Sequence, residues 1–247
     1  LRLLITNDDG YDAEGLQNLV EVLSAEHDCL VVAPDQGRSR CGHSVTNSTE
    51  LEVIRKQDNH WTVSGTPADC VRIGLIVLGL KPDWVLSGVN HGGNLGIDTL
   101  YSGTVAAARE ATILGFRAIA LSQYMRRDIS KNWKTTAHRA KRVLGQLWKK
   151  PLAKGFFWNL NLPALEPEDV SEIPVAYCPL ELGPLPISFQ TDNPANDAKS
   201  LIGTTKHLYQ SNYQARPRQE GSDVHLCFSG HAVVTRLQAF GFCPEGC

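Results

Sequence analysis

In Leu3-Leu4-Ile5-Thr6-Asn7-Asp8-Asp9-Gly10 a short apolar run stops against a cluster of turn-forming residues. The run Leu3–Thr6 reads as a buried strand. Beyond the turn, Leu16, Leu19, Val20 and Leu23 fall on one stripe of a helix. This strand–turn–helix unit then recurs. Cys29–Ala33 is a second strand, stopped by Pro34-Asp35 and followed by a polar loop from Gln36 to about Asn47. Leu51–Ile54 and Trp61–Val63, on either side of Asp58-Asn59, read as an antiparallel hairpin. Thr66-Pro67 starts a helix with a hydroxyl cap and a proline in the first turn. Trp84–Ser87 is a strand that runs into the glycine- and asparagine-rich stretch Gly88–Gly96. Thr104–Leu114 is an alanine-rich helix with Gly115 at its C-cap. Ala118–Leu121 and Phe156–Asn159 are further strands. Between them Ala137, Ala140, Val143, Leu144, Leu147 and Trp148 mark an amphipathic helix.

Such alternation predicts an α/β fold, a mostly parallel sheet with helices on both faces. The expected division is a core domain over residues 1–161, including the hairpin near 50–64, and a C-terminal extension over 162–247. In the extension prolines cluster and helical periodicity fades, with Val175–Cys178 and Ile187–Phe189 as strands. It is expected to be strand-rich and to project from the core or embrace a partner subunit.

Composition narrows the function. Among 247 residues, 24 basic against 26 acidic side chains leave a formal charge of −2, too little positive charge for a protein that lives on long nucleic acid. The longest apolar stretch, near Val71–Leu80, is broken by Arg72 and glycines and is too short for a membrane span. Leu1–Ile5 runs directly into Asn7-Asp8-Asp9 without signal-peptide patterning, so a cytoplasmic protein is expected. The seven cysteines follow no zinc-site spacing and read as reduced thiols, with pairing of Cys243 and Cys247 left open.

Loops that follow parallel strands meet outside the carboxyl edge of the sheet, where ligands bind. Here three such loops carry Asn7-Asp8-Asp9-Gly10, Pro34-Asp35-Gln36-Gly37-Arg38-Ser39 and Ser87-Gly88-Val89-Asn90. Two adjacent carboxylates require a counter-cation or a shared proton. With an amide oxygen and a hydroxyl nearby, they suit Mg²⁺, Mn²⁺ or Ca²⁺. The same Asp-Asp-Gly also reads as a plain turn with a helix cap. Ser102-Gly103-Thr104 precedes the alanine-rich helix, whose free N–H groups can hold phosphate oxygens, and Thr104 reads equally as its cap. Gly92–Gly96 offers backbone freedom beside a ligand. No P-loop and no dinucleotide fingerprint is present. His43 and His91 read either as site residues or as solvated loop histidines, and Arg38 and Arg40 either as phosphate donors or as salt-bridge partners.

Taken together, these blocks resemble the SurE family, metal-dependent nucleotidases. The resemblance rests on Leu4–Gly10, Val32–Asp35 with Arg38-Ser39, Gly65–Cys70, Ser87–Asn90 with Gly93–Gly96, and Tyr101–Ala108, in order along residues 1–121. It implies a Rossmann-like core and one divalent cation (Mg²⁺, Mn²⁺ or similar) per subunit, held by Asp8, Asp9, Ser39 and Asn90. It also implies hydrolysis of nucleoside monophosphates, 5′ in the first place, with 3′-nucleotidase and short-polyphosphatase activity beside it. A homodimer exchanging C-terminal elements is expected, tetramers being formed by some members. Asn159-Leu160-Asn161-Leu162-Pro163 resembles a later family segment, whereas Arg236 stands where proline is usual.

On this reading Asp8 and Asp9 are the candidate catalytic residues. Asn7, Gly10, Ser39, His43, Asn94, Ser102, Gly103 and Thr104 are the candidate phosphate and substrate contacts. Attack by activated water is preferred to a covalent Asp8 intermediate. Base contacts are expected to be loose, no aromatic sandwich being visible near the site. Two rival readings are a non-catalytic nucleotide or metal sensor and a transferase that uses the acidic loop on a cofactor hydroxyl.

Overall fold

An interior strand of the main sheet, β1 (Arg2–Thr6), is buried from Leu3 to Thr6, as an uninterrupted apolar run in a covered sheet must be. The structure, a computed structural model, describes residues 1–39, 41–167, 172–192, 206–210 and 212–240. Arg40 and the Cys243–Cys247 pair lie outside the described residues.

After β1 come α1 (Glu14–Ser24), β2 (Asp28–Pro34), β3 (Val53–Gln57), β4 (His60–Val63), α2 (Pro67–Arg72) and β5 (Trp84–His91). Then follow α3 (Asp98–Tyr101), α4 (Gly103–Ile113), β6 (Ala118–Gln123), α5 (Trp133–Leu147) and β7 (Phe156–Leu162). The chain goes on through β8 (Val175–Tyr177), β9 (Ser188–Asp192), β10 (Lys206–Gln210), α6 (Asp223–Phe228) and β11 (Ala232–Gln238). Among the described residues nine strands form one sheet in the order β3-β4-β2-β1-β5-β6-β7-β11-β8. The six from β4 to β7 run parallel. Antiparallel pairings, β3 on β4 and β11 on β7, close the two sides.

The expected mostly parallel α/β architecture is therefore present. The anticipated hairpin is β3–β4, turned at Asn59 with φ 62°, and it also extends the main sheet because β4 pairs with β2. On one face α1 and α5 bury Leu16, Leu19, Leu23, Val143, Leu144 and Leu147 against the sheet. On the other, α2 and α4 bury Cys70, Val71, Val105, Ala107 and Ala111. Burial of this kind contributes about 25 cal/mol per Å² of apolar surface and dominates the stability of the layers.

Three boundaries differ from the sequence reading. Strand β5 extends through Gly88 and Val89 to His91, with its register on β6 shifting between Ser87 and Asn90. Gly88 makes this possible: at φ 148° its backbone lies so close to β6 that a Cβ would stand 2.3 Å from the Leu121 carbonyl oxygen. Helix α4 is capped by Ser102, whose Oγ accepts from Val105 N at 3.1 Å, so Thr104 lies inside the helix rather than capping it. Beyond residue 162, β8 and β11 join the main sheet and α6 packs Val224 and Cys227 with Leu95 and Val233, while β9 and β10 pair in a separate antiparallel ribbon.

Candidate active site

Chain order reverses between β1 and β5: β2 lies on one side of β1, while β5 and β6 follow on the other. At such a switch point the connecting loops part to opposite faces and leave a crevice at the carboxyl ends. Asp8-Asp9 leaves β1 there, and Asn90 stands near the end of β5.

The crevice is a cleft of about 260 Å³ whose walls include Asp8, Asp9, Ser39, Asn90, Asn94 and Ser102. The structure thus brings together the four expected ligand positions and, with Ser39 belonging to both sets, three of the expected phosphate contacts. Asp8 is nearly buried and tightly placed. Thr104 Oγ1 donates to its Oδ1 at 2.5 Å, and Arg38 N donates to its carbonyl oxygen at 2.7 Å. Gly103 permits the close approach of α4, since a Cβ at this position would lie 3.0 Å from Asp8 Cβ and Oδ2. Asp9 is held by His91 N, which donates to its Oδ2 at 3.0 Å. The Asn90 amide donates through Nδ2 to the Gly92 carbonyl at 2.8 Å, leaving its Oδ1 as the free oxygen.

Burial pushes the Asp8 carboxyl up to about 6; the Thr104 hydrogen bond opposes this and the neighbouring Asp9 charge adds to it. Among the described residues neither Asp8 nor Asp9 has an ion-pair partner. Uncompensated carboxylates beside an amide oxygen and a hydroxyl form an all-oxygen donor set, which fits a hard divalent cation. No group of three or more His, Cys, Asp or Glu side chains suited to a metal is found among the described residues, so the two carboxylates would need Ser39 and Asn90 to complete a donor set.

Other expected contacts stand elsewhere. Asn7 is fully buried and spends its side chain on its own turn, Nδ2 donating to the Gly10 carbonyl and Oδ1 accepting from Gly10 N. Asn7 and Gly10 therefore shape the loop behind the cleft. Thr104 and Gly103 shape it too, acting on Asp8. His43 is drawn away from the cleft: its Nε2 lies 2.7 Å from Glu110 Oε2, while Arg72 Nε donates to Glu110 Oε1 at 2.6 Å. Burial works to raise the Glu110 carboxyl, but these two hydrogen bonds outweigh it and hold the group below the usual carboxylate range.

Asp98, Tyr101 and Tyr213 among the wall residues escaped sequence reasoning, whereas Asn94 was expected. Asn94 is clamped by β7: its N–H donates to Asn161 Oδ1 at 2.7 Å, and its carbonyl accepts from Asn159 Nδ2 and Asn161 Nδ2. Its own Nδ2 donates to Ser122 Oγ. The spaced asparagines of β7 were the only signal for this clamp. Asp98, Tyr101 and Tyr213 also line the cleft. Tyr213 arrives from the C-terminal third, and nothing local in the sequence marks it.

A family model described as Survival protein SurE matches residues 3–180. A protein of Synechocystis sp. that carries a provisional 5′-nucleotidase name is 41% identical over 238 residues, covering 96% of this chain and 100% of the relative. A protein of Neisseria gonorrhoeae named 5′-nucleotidase SurE is 39% identical over 240 residues, covering 96% and 92%. Among solved structures, the crystal structure of the SurE protein from Aquifex aeolicus superposes with a TM-score of 0.81 at 31% identity, covering 98% of this chain and 95% of that one.

Proposed function

This chain belongs to the SurE family of 5′-nucleotidase-type hydrolases, and we propose that it releases phosphate from nucleoside monophosphates with one divalent cation bound per subunit. The observation that supports this best is the pair of carboxylates at the switch-point crevice, facing an amide oxygen, a serine hydroxyl and the start of α4. Asp8, Asp9, Ser39 and Asn90 would hold the cation, which supplies positive charge for the phosphate oxygens and a means of activating water.

The chain's own groups do the rest. Thr104 and Gly103 fix Asp8 in one place. With its Oδ1 bound by Thr104, Asp8 would present Oδ2 to the cation and act in binding rather than in attack on phosphorus. Asp9, which also lines the cleft, would take a proton from the attacking water. Asn94, Ser102 and the N-terminal dipole of α4 favour the anionic phosphoryl group. Attack by the water oxygen forms one P–O bond as the ester P–O bond breaks, and the proton taken by Asp9 would pass to the leaving alkoxide.

With this function we associate a homodimer, a cytoplasmic location, small monoesters rather than long nucleic acid as substrates, and 3′-nucleotidase and short-polyphosphatase side activities. Phosphate release tests it, from 5′- and 3′-monophosphates, short polyphosphate, a sugar phosphate and duplex DNA, each with chelator or with Mn²⁺. Nucleoside monophosphates are expected to give the highest kcat/KM with Mn²⁺ and no turnover in chelator. Full activity in protein shown to be free of metal would refute the proposal.

A further inference from the structure

A phosphomonoester seated at Asp8 and Asp9 must direct its leaving group out of the cleft, and the cleft has two neighbours. Across Asp98 and Tyr213 lies a cavity of about 90 Å³ bounded by Leu185, Pro186 and Arg216. Across Gly92, Gly93 and Tyr213 lies one of about 850 Å³, bounded also by Tyr124, Arg127 and Gln214. Sites for ligands of nucleoside size and above fall at about 300–1,000 Å³, so only the second has room. Gly92 and Gly93, without side chains, leave the passage between the two low.

Tyr213 stands at the junction of all three spaces. The residue is 37% exposed and its side chain is firmly held. Its hydroxyl donates to the Gly93 carbonyl at 3.2 Å. The ring lies beside the mutually stacked Tyr124 and Phe228 pair, with centroids 6.2 and 6.1 Å away. The Arg216 guanidinium lies 4.2 Å from its centroid and is itself fixed by Asp98 at 2.6 Å. A prefixed aromatic surface beside a roomy polar cavity is what a flat heteroaromatic ring needs, and such stacking tolerates any base because every base has a π-face.

We propose that Tyr213 is a specificity-determining residue: it receives the nucleobase side of the substrate in the cavity beyond Gly92–Gly93 and thereby favours nucleotides over other monoesters. The proposal rests on the phosphomonoesterase reading above. It replaces the expectation of loose base contact with one defined aromatic platform that takes purines and pyrimidines alike.

The test compares kcat/KM for AMP, CMP and glycerol 2-phosphate in wild type, Tyr213→Ala, Tyr213→Leu and Tyr213→Phe. The nucleotide-to-glycerol-phosphate ratio is expected to fall about tenfold or more in the Ala and Leu variants, through KM for the nucleotide, and to hold in the Phe variant, which keeps the ring. Two aliphatic variants guard against one that fails to fold. An unchanged ratio in both, or a ratio lost equally in the Phe variant, overturns the proposal while leaving phosphatase activity established. A wild type that releases phosphate from none of the three substrates with Mn²⁺ overturns both readings together.

Discussion

Asp8 carries the site's most informative electrostatics. Its proton is held more tightly in the folded chain, near 6, than in the unfolded one, near 3.8. In metal-free protein its contribution to stability is therefore full below 3.8 and is lost as the pH rises through about 6. A bound cation reverses that loss, because it must displace the same proton. Stabilisation by Mn²⁺, read as a shift in melting temperature against a chelator control, is expected to be larger at about pH 7.5 than at about pH 5. Equal shifts at both values would remove Asp8 from the ligand set. Asp8→Asn is expected to lower kcat by roughly 100-fold, through lost charge at the point where the transition state needs it. At this scale the sequence was readable wherever a residue sits at the end of a parallel strand: Asp8, Asp9, Ser39 and Asn90 converge because the topology makes strand ends converge. It was not readable for His43, whose ring is captured by an acid 67 positions away, nor for Tyr213, which depends on where a long connection returns.

Elements rather than residues decide how the Ser39 loop is held. One end is tied by Arg38 N to the Asp8 carbonyl in the turn after β1, and the other by Thr46, whose N–H and hydroxyl both donate to Asp69 at the start of α2. Between them His43 reaches Glu110 on α4, so three elements brace one loop. Glu110 is the keystone of that brace, its side chain 3% exposed, although Arg72 at 42% exposure is partly screened by water. Glu110→Gln is expected to cost about 1–3 kcal/mol in urea unfolding at neutral pH. Since its folded value is depressed, the stabilisation is present above 4.5 and is lost as the pH falls through the folded value, so the gap between variant and wild type should narrow on acidification. A gap that stays constant into acid would assign the effect to packing alone. Helix starts such as Thr66-Pro67 were legible because capping is local chemistry, and the capping box with Asp69 is present. Strand β11 was not read as an element, because Ala232–Gln238 belongs in the sheet only through its pairing with Asn159 and Asn161, far away in the chain.

For the whole molecule, surface chemistry separates two regions. The main sheet is covered on both faces, whereas the β9–β10 ribbon and its approach expose Ile187, Phe189, Leu208 and Tyr209. Exposed apolar side chains gathered on a two-stranded ribbon are poorly stable alone and call for a partner surface. Light scattering at assay concentration is expected to give at least a dimer, and Phe189→Asp with Leu208→Asp to shift it toward monomer. A wild-type monomer under those conditions would separate this ribbon from any role in assembly. No helix among the described residues is long and apolar enough to cross a membrane, and the formal charge of −2 offers no track for a long polyanion.

The antiparallel closure of β11 on β7 has a consequence for biosynthesis. A chain emerges N-terminal end first, at about 5–20 residues per second. Asp8, Asp9, Ser39 and Asn90 are all outside the ribosome long before Tyr213, α6 and β11, and β7 would meanwhile present an open edge with its asparagines unpaired on that side. The acidic crevice can thus assemble, and the cation can enter, while the wall that faces the nucleobase is still being made. On a nascent chain, metal binding should precede selectivity: Tyr213 completes the substrate's seat late, and β11 later still shuts a sticky edge.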